Sequence, residues 1–436
     1  DGVTLGWDGA AVAAMAREFQ PELVVLLTST PSIYSDVSCA GGIKAVCPGA
    51  YVVLVGPHVS ALPAESIALS DAVDAVAMRE FEDTLVELAD RLARGDGVHE
   101  VAGLALRHAG GIKVNPHRPF IQDLDRLPFV SSVYKDFLKP SDYFYSIARW
   151  PMMTIITGRG CVHHCAYCVY PQVQCGHQCR YRDVRKVVEE FRYIQETFPE
   201  VKEIFIEDDT LTVDRERCME FCDLLASAGL HLTFTANSRA EIDFDQLKAL
   251  KRAGCRLLCV GFESGVEELL ANMRKRNTLA RARQFVRDAK RAGVMVHGCF
   301  LVGNEGETPA TMRATLEYAK SLNTDTAQFF PIMVYPGTVA YEWVKENGYL
   351  TTTDFSAWLS ADGMHNCVVD LPGLSAADMV AFCDRARREY YLRPRYLVFK
   401  LWQTLRHPTE AQRTLKSFRT FYKHLFKGSQ PGHAPG

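Results

Sequence analysis

The sequence predicts an α/β protein: an N-terminal doubly wound parallel sheet, a partial (β/α)6 barrel and a C-terminal helical region. Three observations carry this expectation. Short apolar runs bounded by Gly, Pro, Ser or Thr alternate with longer segments of helical period. The alternation occurs twice, over 1–92 and again over 153–332, with a stretch of weak periodicity between. Finally, 436 residues exceed what one ordinary core organises, so several domains are expected. A composition of 47% hydrophobic and 23% charged residues is that of a globular chain, and a net charge of −3 gives no reason to expect a nucleic-acid partner. No apolar run approaches the ~20 residues that span a bilayer. Asp8 and Arg17 near the start do not resemble a signal peptide, so a cytoplasmic location is expected.

In the first unit, 10–19 is helical and 23–27 is an apolar strand running into Thr28-Ser29-Thr30-Pro31-Ser32. A helical segment reaches Cys47-Pro48-Gly49, and strand 51–55 ends in Gly56-Pro57-His58. A weaker strand, 73–77, precedes a helix over 82–94. Continuous apolar strands read as parallel and buried, and the ligand crevice of such a sheet lies beyond its carboxyl ends. One further strand with its loop is expected before residue 1, since the sequence does not begin with Met. Residues 103–116 read as a hairpin about Gly110-Gly111. The stretch through Pro119, Pro128 and Pro140 reads as a crossing linker. Domain boundaries are accordingly placed at 1–102, 103–150, 151–345 and 346–436.

In the second unit, strands fall at 153–157, 203–207, 232–236, 257–262, 294–302 and 327–332. Helices at 184–197, 216–228, 244–253, 279–292 and 309–321 separate them. Six strands with intervening helices fit a partial barrel, whose chemistry sits at the C-terminal strand ends. From Arg385 to Lys427 the tail holds twelve Lys or Arg against two acids, with Tyr390, Tyr391, Trp402 and Phe421 interleaved. It reads as a solvated helical cap or as a contact with a membrane surface.

Fourteen cysteines do not form a disulfide framework in a chain that can bury its own core, and a reducing compartment fits them better. Cys218 and Cys222 fall on the apolar face of a helix. Cys255 and Cys259, four apart in a strand, are expected on one face as reduced core residues. The informative set is Gly158-Arg159-Gly160-Cys161-Val162-His163-His164-Cys165-Ala166-Tyr167-Cys168, directly after the first barrel strand. Thiolates ligate the irons of a [4Fe–4S] cube; Cys161, Cys165 and Cys168 supply three ligands and leave one iron open. Two alternatives stand beside this. Zinc could use the three cysteines with a histidine, or a fully ligated cluster could recruit Cys175 or Cys179 from Gln174-Cys175-Gly176-His177-Gln178-Cys179.

The CxxxCxxC spacing, with an aromatic residue before the third Cys, resembles the radical S-adenosylmethionine (SAM) superfamily. The resemblance implies a [4Fe–4S] cluster whose open iron takes the amino and carboxylate end of SAM. Reductive cleavage then gives a 5′-deoxyadenosyl radical, which abstracts hydrogen from an unactivated carbon. It also implies a reducing electron donor such as flavodoxin or ferredoxin. It assigns to SAM Tyr167, then Glu207, Asp208 and Asp209 after the second strand. Glu263 and Ser264 follow the fourth strand, Lys275 lies twelve residues on, and Gly303 ends the fifth. No side chain is singled out for hydrogen abstraction.

The N-terminal sheet resembles the Rossmann-like cobalamin (B12)-binding domain that precedes many such enzymes. Thr30 and Ser32 with Asp36, Gly56 with His58, and Glu80-Phe81-Glu82 carry the match. No Asp-x-His-x-x-Gly motif is present, so cobalamin is expected without a histidine ligand, His58 being the one candidate. Arg79-Glu80-Phe81-Glu82, Arg180-Tyr181-Arg182 and the Glu207–Thr212 segment are most similar to enzymes of hopanoid biosynthesis. That branch lies within the group that holds the anaerobic magnesium-protoporphyrin monomethyl ester cyclase. The expected function is thus rearrangement or cyclisation of an apolar small-molecule or lipid substrate, hopanoid-type head groups included. The alternative is a cobalamin-dependent methyltransferase. Contact of the basic tail with a membrane is a further expectation.

Overall fold

The computed structural model describes residues 2–360 and 366–406. Its strands are β1 (Leu23–Leu27), β2 (Tyr51–Val55), β3 (Ala75–Ala77), β4 (Leu104–His108), β5 (Gly111–Val114), β6 (Met152–Ile155), β7 (Gly158–Arg159), β8 (Arg180–Tyr181), β9 (Glu203–Ile206), β10 (Thr233–Ser238), β11 (Cys255–Glu263), β12 (Met295–Val302) and β13 (Thr326–Pro331).

The N-terminal sheet has the order β1-β2-β3-β4-β5. Its first three strands are parallel, as the apolar runs imply. The sheet is nonetheless mixed. The hairpin β4–β5, expected in the linker region, pairs antiparallel with β3 and completes the sheet. Alternation along the strands sends Val52, Leu54 and Val76 to one face with Ile33, Val37 and Ile67. Val53, Val55 and Ala77 go to the other, against Leu88. Helices therefore cover both faces, and β1–β5 with their helices form one layered unit, whereas the linker helix Val130–Phe137 places Tyr134 in the core of the second sheet.

The second sheet is wholly parallel, in the order β13-β12-β11-β10-β9-β6. Its intervening helices start where the sequence supplies side-chain caps. Asp183, Asp214, Asp243, Thr278 and Thr308 each accept from a backbone N–H of the first turn. Val187, Phe191 and Ile194 of helix Val184–Thr197 pack with Phe221 and Phe234 in the core between sheet and helices.

A register shift at the start of β11 pairs Phe234 with Cys255 but Thr235 with Leu257, so Arg256 bulges. The bulge separates the two cysteines expected to share a face. Cys255 lies in the core beside the helix carrying Cys218 and Cys222, whereas Cys259 faces Cys299 of β12.

The C-terminal helix Ala376–Tyr391 closes the β13 edge. Tyr391 Oη accepts from Ala327 N (2.8 Å) and donates to Ala327 O (2.7 Å), while Tyr396 Oη donates to Asp325 O (2.7 Å). These hydroxyls satisfy edge groups that would otherwise invite another strand. Helix Pro394–Arg406 leaves Leu397, Val398, Leu401 and Leu405 exposed. The rest of the basic stretch, 407–427, lies outside the described residues. Among the described residues no helix is long and apolar enough to cross a membrane.

The two sheets meet through charge and close packing. Arg180 of β8 makes a bidentate pair with Glu80 (2.7 Å to each oxygen), and the same guanidinium donates to Ile121 O and Cys175 O. Both partners are buried. Arg159 of β7 adds a bond to Glu82 (2.5 Å). At Gly337, φ is +80° and an added Cβ would lie 2.5 Å from Val173 and 3.0 Å from Ala61, so this turn admits only glycine between the units.

Candidate active site

The three cysteines occupy one loop between β7 and β8, braced from four sides. Gly160, at φ +90°, would put a Cβ 2.2 Å from Gln178 O, which makes glycine obligatory at the entry. Its N–H donates to Asp209 Oδ2 (3.0 Å). Gln172 Nε2 donates to the carbonyls of Cys165, Ala166 and Cys168 (3.2, 3.3 and 2.7 Å), and its oxygen accepts from Val339 N (3.0 Å). His177 Nδ1 lies 3.2 Å from Cys161 O and 3.0 Å from His163 O, and its ring stacks on His164 at 4.0 Å. His163 and His164 are thus loop residues, the first held neutral by burial, with its pKa lowered to about 4.

The thiols sit close enough to repel one another as thiolates. Burial, then the charge of Cys165 and Asp209, pushes the Cys168 thiol up to about 12. Burial raises Cys161 as well, with Asp209, Cys165 and Cys179 adding to it. Such a constellation is costly when ionised alone and is relieved by a cationic metal, so the donor set fits an iron–sulfur cube held at three corners. Cys175 donates to Asp209 Oδ2 (3.3 Å) and Cys179 to Gly160 O (3.3 Å), which gives both a role in the loop's hydrogen bonding.

Beyond the thiols, three residues assigned from sequence form a compact triad. Lys275 Nζ donates to Glu263 Oε1 (2.8 Å) and lies 3.2 Å from Tyr167 Oη, which itself donates to Glu263 Oε1 (2.8 Å). Burial would lower the Lys275 ammonium, but the charges of Glu263 and Cys165 and the hydrogen bond to Glu263 together hold it above its ordinary value. Glu263 has φ +62°, unusual for a residue with a side chain, and Ser264 N donates to Phe262 O across it (2.8 Å). Gly261 makes room for this carboxylate: a Cβ there would fall 2.1 Å from Glu263 Oε1.

Other assigned residues have different occupations. Asp208 is buried with both oxygens taken, accepting from Thr157 N (2.6 Å), Thr157 Oγ1 (2.5 Å) and Gly158 N (3.1 Å). It shapes the cysteine loop's entry. Asp209 likewise braces that loop through Gly160 and Cys175. Glu207 remains exposed at the end of β9, its carboxyl raised by desolvation. Ser264 turns to Thr315 Oγ1 (3.2 Å) and caps Val266 N (3.1 Å). Gly303 lies at φ +96°, where a Cβ would meet Met379 Sδ at 2.6 Å, and its N–H donates to Glu307 Oε2 (3.1 Å).

Two residues went unread in the sequence. Arg239, after β10, is buried with Nη1 3.6 Å from Cys165 Sγ and is anchored by Glu241. Asn304, beside Gly303, is buried and its Nδ2 has no hydrogen-bond partner, a donor suited to a purine nitrogen. Position at a strand's carboxyl end was the available signal for both.

At the N-terminal sheet, Gly56 has φ +117° and an added Cβ would fall 2.3 Å from Thr28 O. His58 is buried, with Nδ1 3.1 Å from Thr30 Oγ1 and its ring edge-on to Phe355 at 4.7 Å. Burial lowers it to about 4, so it stays neutral. Ser32 bonds Ser29, and Asp36 Oδ2 is buried without a partner.

Residues 155–319 match the model of the radical SAM superfamily. An uncharacterized methyltransferase of Pyrococcus horikoshii is 29% identical over 404 residues, covering 92% of this chain and 86% of that protein. The anaerobic magnesium-protoporphyrin IX monomethyl ester cyclase of Cereibacter sphaeroides is 26% identical over 77% of this chain, which spans 55% of that protein's length. Among solved structures, the radical SAM methyltransferase TsrM of Kitasatospora setae, with cobalamin and a [4Fe–4S] cluster bound, superposes with a TM-score of 0.70 at 17% identity. That likeness covers 87% of this chain and 82% of TsrM. The cysteine loop after the first barrel strand, the parallel six-stranded sheet and the matched segment agree, and residues 155–319 form a radical SAM domain.

Proposed function

We propose that this chain is a cobalamin-dependent radical SAM methyltransferase acting on a small, largely apolar molecule. The observation that carries the reading is the docking of two strand-end sites in one molecule. The carboxyl ends of β1–β3 are clamped beside the cysteine loop by Glu80–Arg180 and by the turn at Gly337. Similarity to a methyltransferase over 92% of the chain supports it independently.

When bound, the cluster would supply the electron that cleaves SAM, and cobalamin would supply a methyl carrier. Cys161, Cys165 and Cys168 would hold the cluster, with Arg239 offsetting thiolate charge at Cys165. Glu263, Lys275 and Tyr167 would position SAM as one hydrogen-bonded unit, and Asn304 with Gly303 would receive its base. At the other sheet Gly56 leaves the backbone open, and Thr30, Ser32 and the unpartnered Asp36 oxygen offer polar contacts. His58 would line that crevice rather than ligate, because Thr30 and Phe355 already hold its ring. Exposed Val162, His164, Arg274 and Arg276 would present the cysteine loop to an acidic electron carrier.

The cyclase similarity favours a second reading, ring closure without methyl transfer. A hopanoid head group is not supported by these similarities, and the substrate is proposed only at the level of class. The exposed leucines of helix Pro394–Arg406 would support membrane contact, testable by flotation with anionic vesicles.

The test is anaerobic reconstitution with iron, sulfide and hydroxocobalamin, then reduction with methyl-labelled SAM. The proposal expects stoichiometric corrinoid retention, label recovered with the corrinoid, and S-adenosylhomocysteine. Release of 5′-deoxyadenosine with no corrinoid retained and no S-adenosylhomocysteine would favour the cyclase reading instead.

A further inference from the structure

Apart from the cluster loop and the SAM triad, the barrel sheet gathers a second set of metal-ligating side chains. Cys259 on β11 and His297 and Cys299 on β12 have ligand atoms all within 4.8 Å of one another. The register pairs Cys259 with His297 and Gly261 with Cys299, so the cysteines are diagonal neighbours. Their partners in alternation, Leu258, Val260, Val296 and Phe300, belong to the core. The triad therefore faces the opposite, concave side, with Cys259 four residues down the strand from Glu263.

The spacing suits a shared ion. Cys259 Sγ and Cys299 Sγ are 3.8 Å apart. Zn–S bonds of about 2.3 Å in a tetrahedron set two sulfurs about 3.8 Å apart, whereas a disulfide needs about 2.05 Å. His297 is buried, and its Nδ1 lies 2.8 Å from Thr326 Oγ1, the kind of partner that fixes a ligating imidazole's orientation. The hydrogen bond with Cys259, and then burial, raises the Cys299 thiol, while His297 pulls it down. Tyr145 faces the pair and is itself raised, first by burial and then by both thiols.

We propose that Cys259, His297 and Cys299 form a binding site for a thiophilic divalent cation of the zinc class. Two thiolates and one imidazole satisfy three corners of a tetrahedron, and the fourth opens on the barrel lumen, the pattern of a ligand-accepting rather than a purely structural ion. Zinc has no redox chemistry of its own, so it would hold a donor atom of a lumen ligand without drawing the cluster's electron. The site is independent of whether cobalamin is used.

The experiment loads the anaerobic, cluster-containing protein with Zn²⁺, removes excess with a weak chelator, and measures zinc and iron per chain. Alkylation of each cysteine peptide is followed with and without Zn²⁺. Stoichiometric zinc is expected, lost in Cys259→Ser and Cys299→Ser with iron unchanged, together with zinc-dependent protection of both thiols. Thr326→Val, a milder change, should weaken zinc binding by about 10- to 100-fold, the cost of removing such a partner. Zinc content equal in native and Cys variants, both thiols alkylated regardless of Zn²⁺, or a Cys259–Cys299 disulfide would overturn the site. Should the Cys variants lose their iron, unchanged zinc affinity in Thr326→Val overturns it.

Discussion

Glu263 concentrates the chemistry of the barrel mouth in one strained residue. Its positive φ aims the carboxylate back over Gly261, where Lys275, with a hydrogen bond from Tyr167, partners it. Lys275→Met should therefore cost about 3–5 kcal/mol, the penalty for leaving a buried carboxylate unpaired, checked by chemical denaturation under nitrogen. Glu307 offers a pH signature. Burial raises its carboxyl from 4.5 to about 6, so folding favours the protonated form. Its contribution to stability is complete below pH 4.5 and is lost as pH rises through about 6. Glu307→Gln should remove that slope and gain stability relative to the native protein across this window, read as melting temperature against pH. The cysteines, Lys275 and Glu263 were legible because a motif and its spacing name them. The bonds of Asp208 to Thr157 and Gly158 could not be read, because an acid at a strand end looks alike whether it meets a ligand or the backbone. Arg239 went unread because the thiol it faces, Cys165, is 74 residues away in sequence, and Asn304 because no motif residue marks a lone buried amide.

At the scale of elements, the sheet strands and their helices follow from alternation, caps and turn residues, and most boundaries could be read to within two residues. The bulge at Arg256 could not. A single extra residue moved Cys255 to the helix layer and left Cys259 on the concave side, a change of face that period-two reasoning cannot foresee. Arg256 itself reaches Glu203 (2.8 Å) and Thr235 (3.3 Å), so tertiary bonding fixes the bulge. The cysteine loop depends on one conformation in a comparable way. Gly160→Ala should force its Cβ into Gln178 O, disorder the loop and lower cluster iron after reconstitution, while the circular dichroism of the sheets persists.

For the whole molecule, the segments around Glu80 and Arg180 were read as family markers, and their physical work is to join the two sheets. Glu80→Gln or Arg180→Met alone should destabilise by about 3–5 kcal/mol, by breaking a buried pair, whereas Glu80→Leu with Arg180→Met should be milder. Denaturation midpoints of the single and double variants would show the coupling. The hairpin that completes the N-terminal sheet was recognisable as a hairpin, but its partner strand was not, since pairing across 27 residues, Ala77 to Leu104, leaves no local trace. The most direct test of the account is the electron paramagnetic resonance of the anaerobic, dithionite-reduced protein before and after SAM. A [4Fe–4S] signal that depends on Cys161, Cys165 and Cys168 and shifts when SAM is added is the predicted result. A protein that holds zinc at those cysteines, or a cluster whose signal is indifferent to SAM, would contradict it.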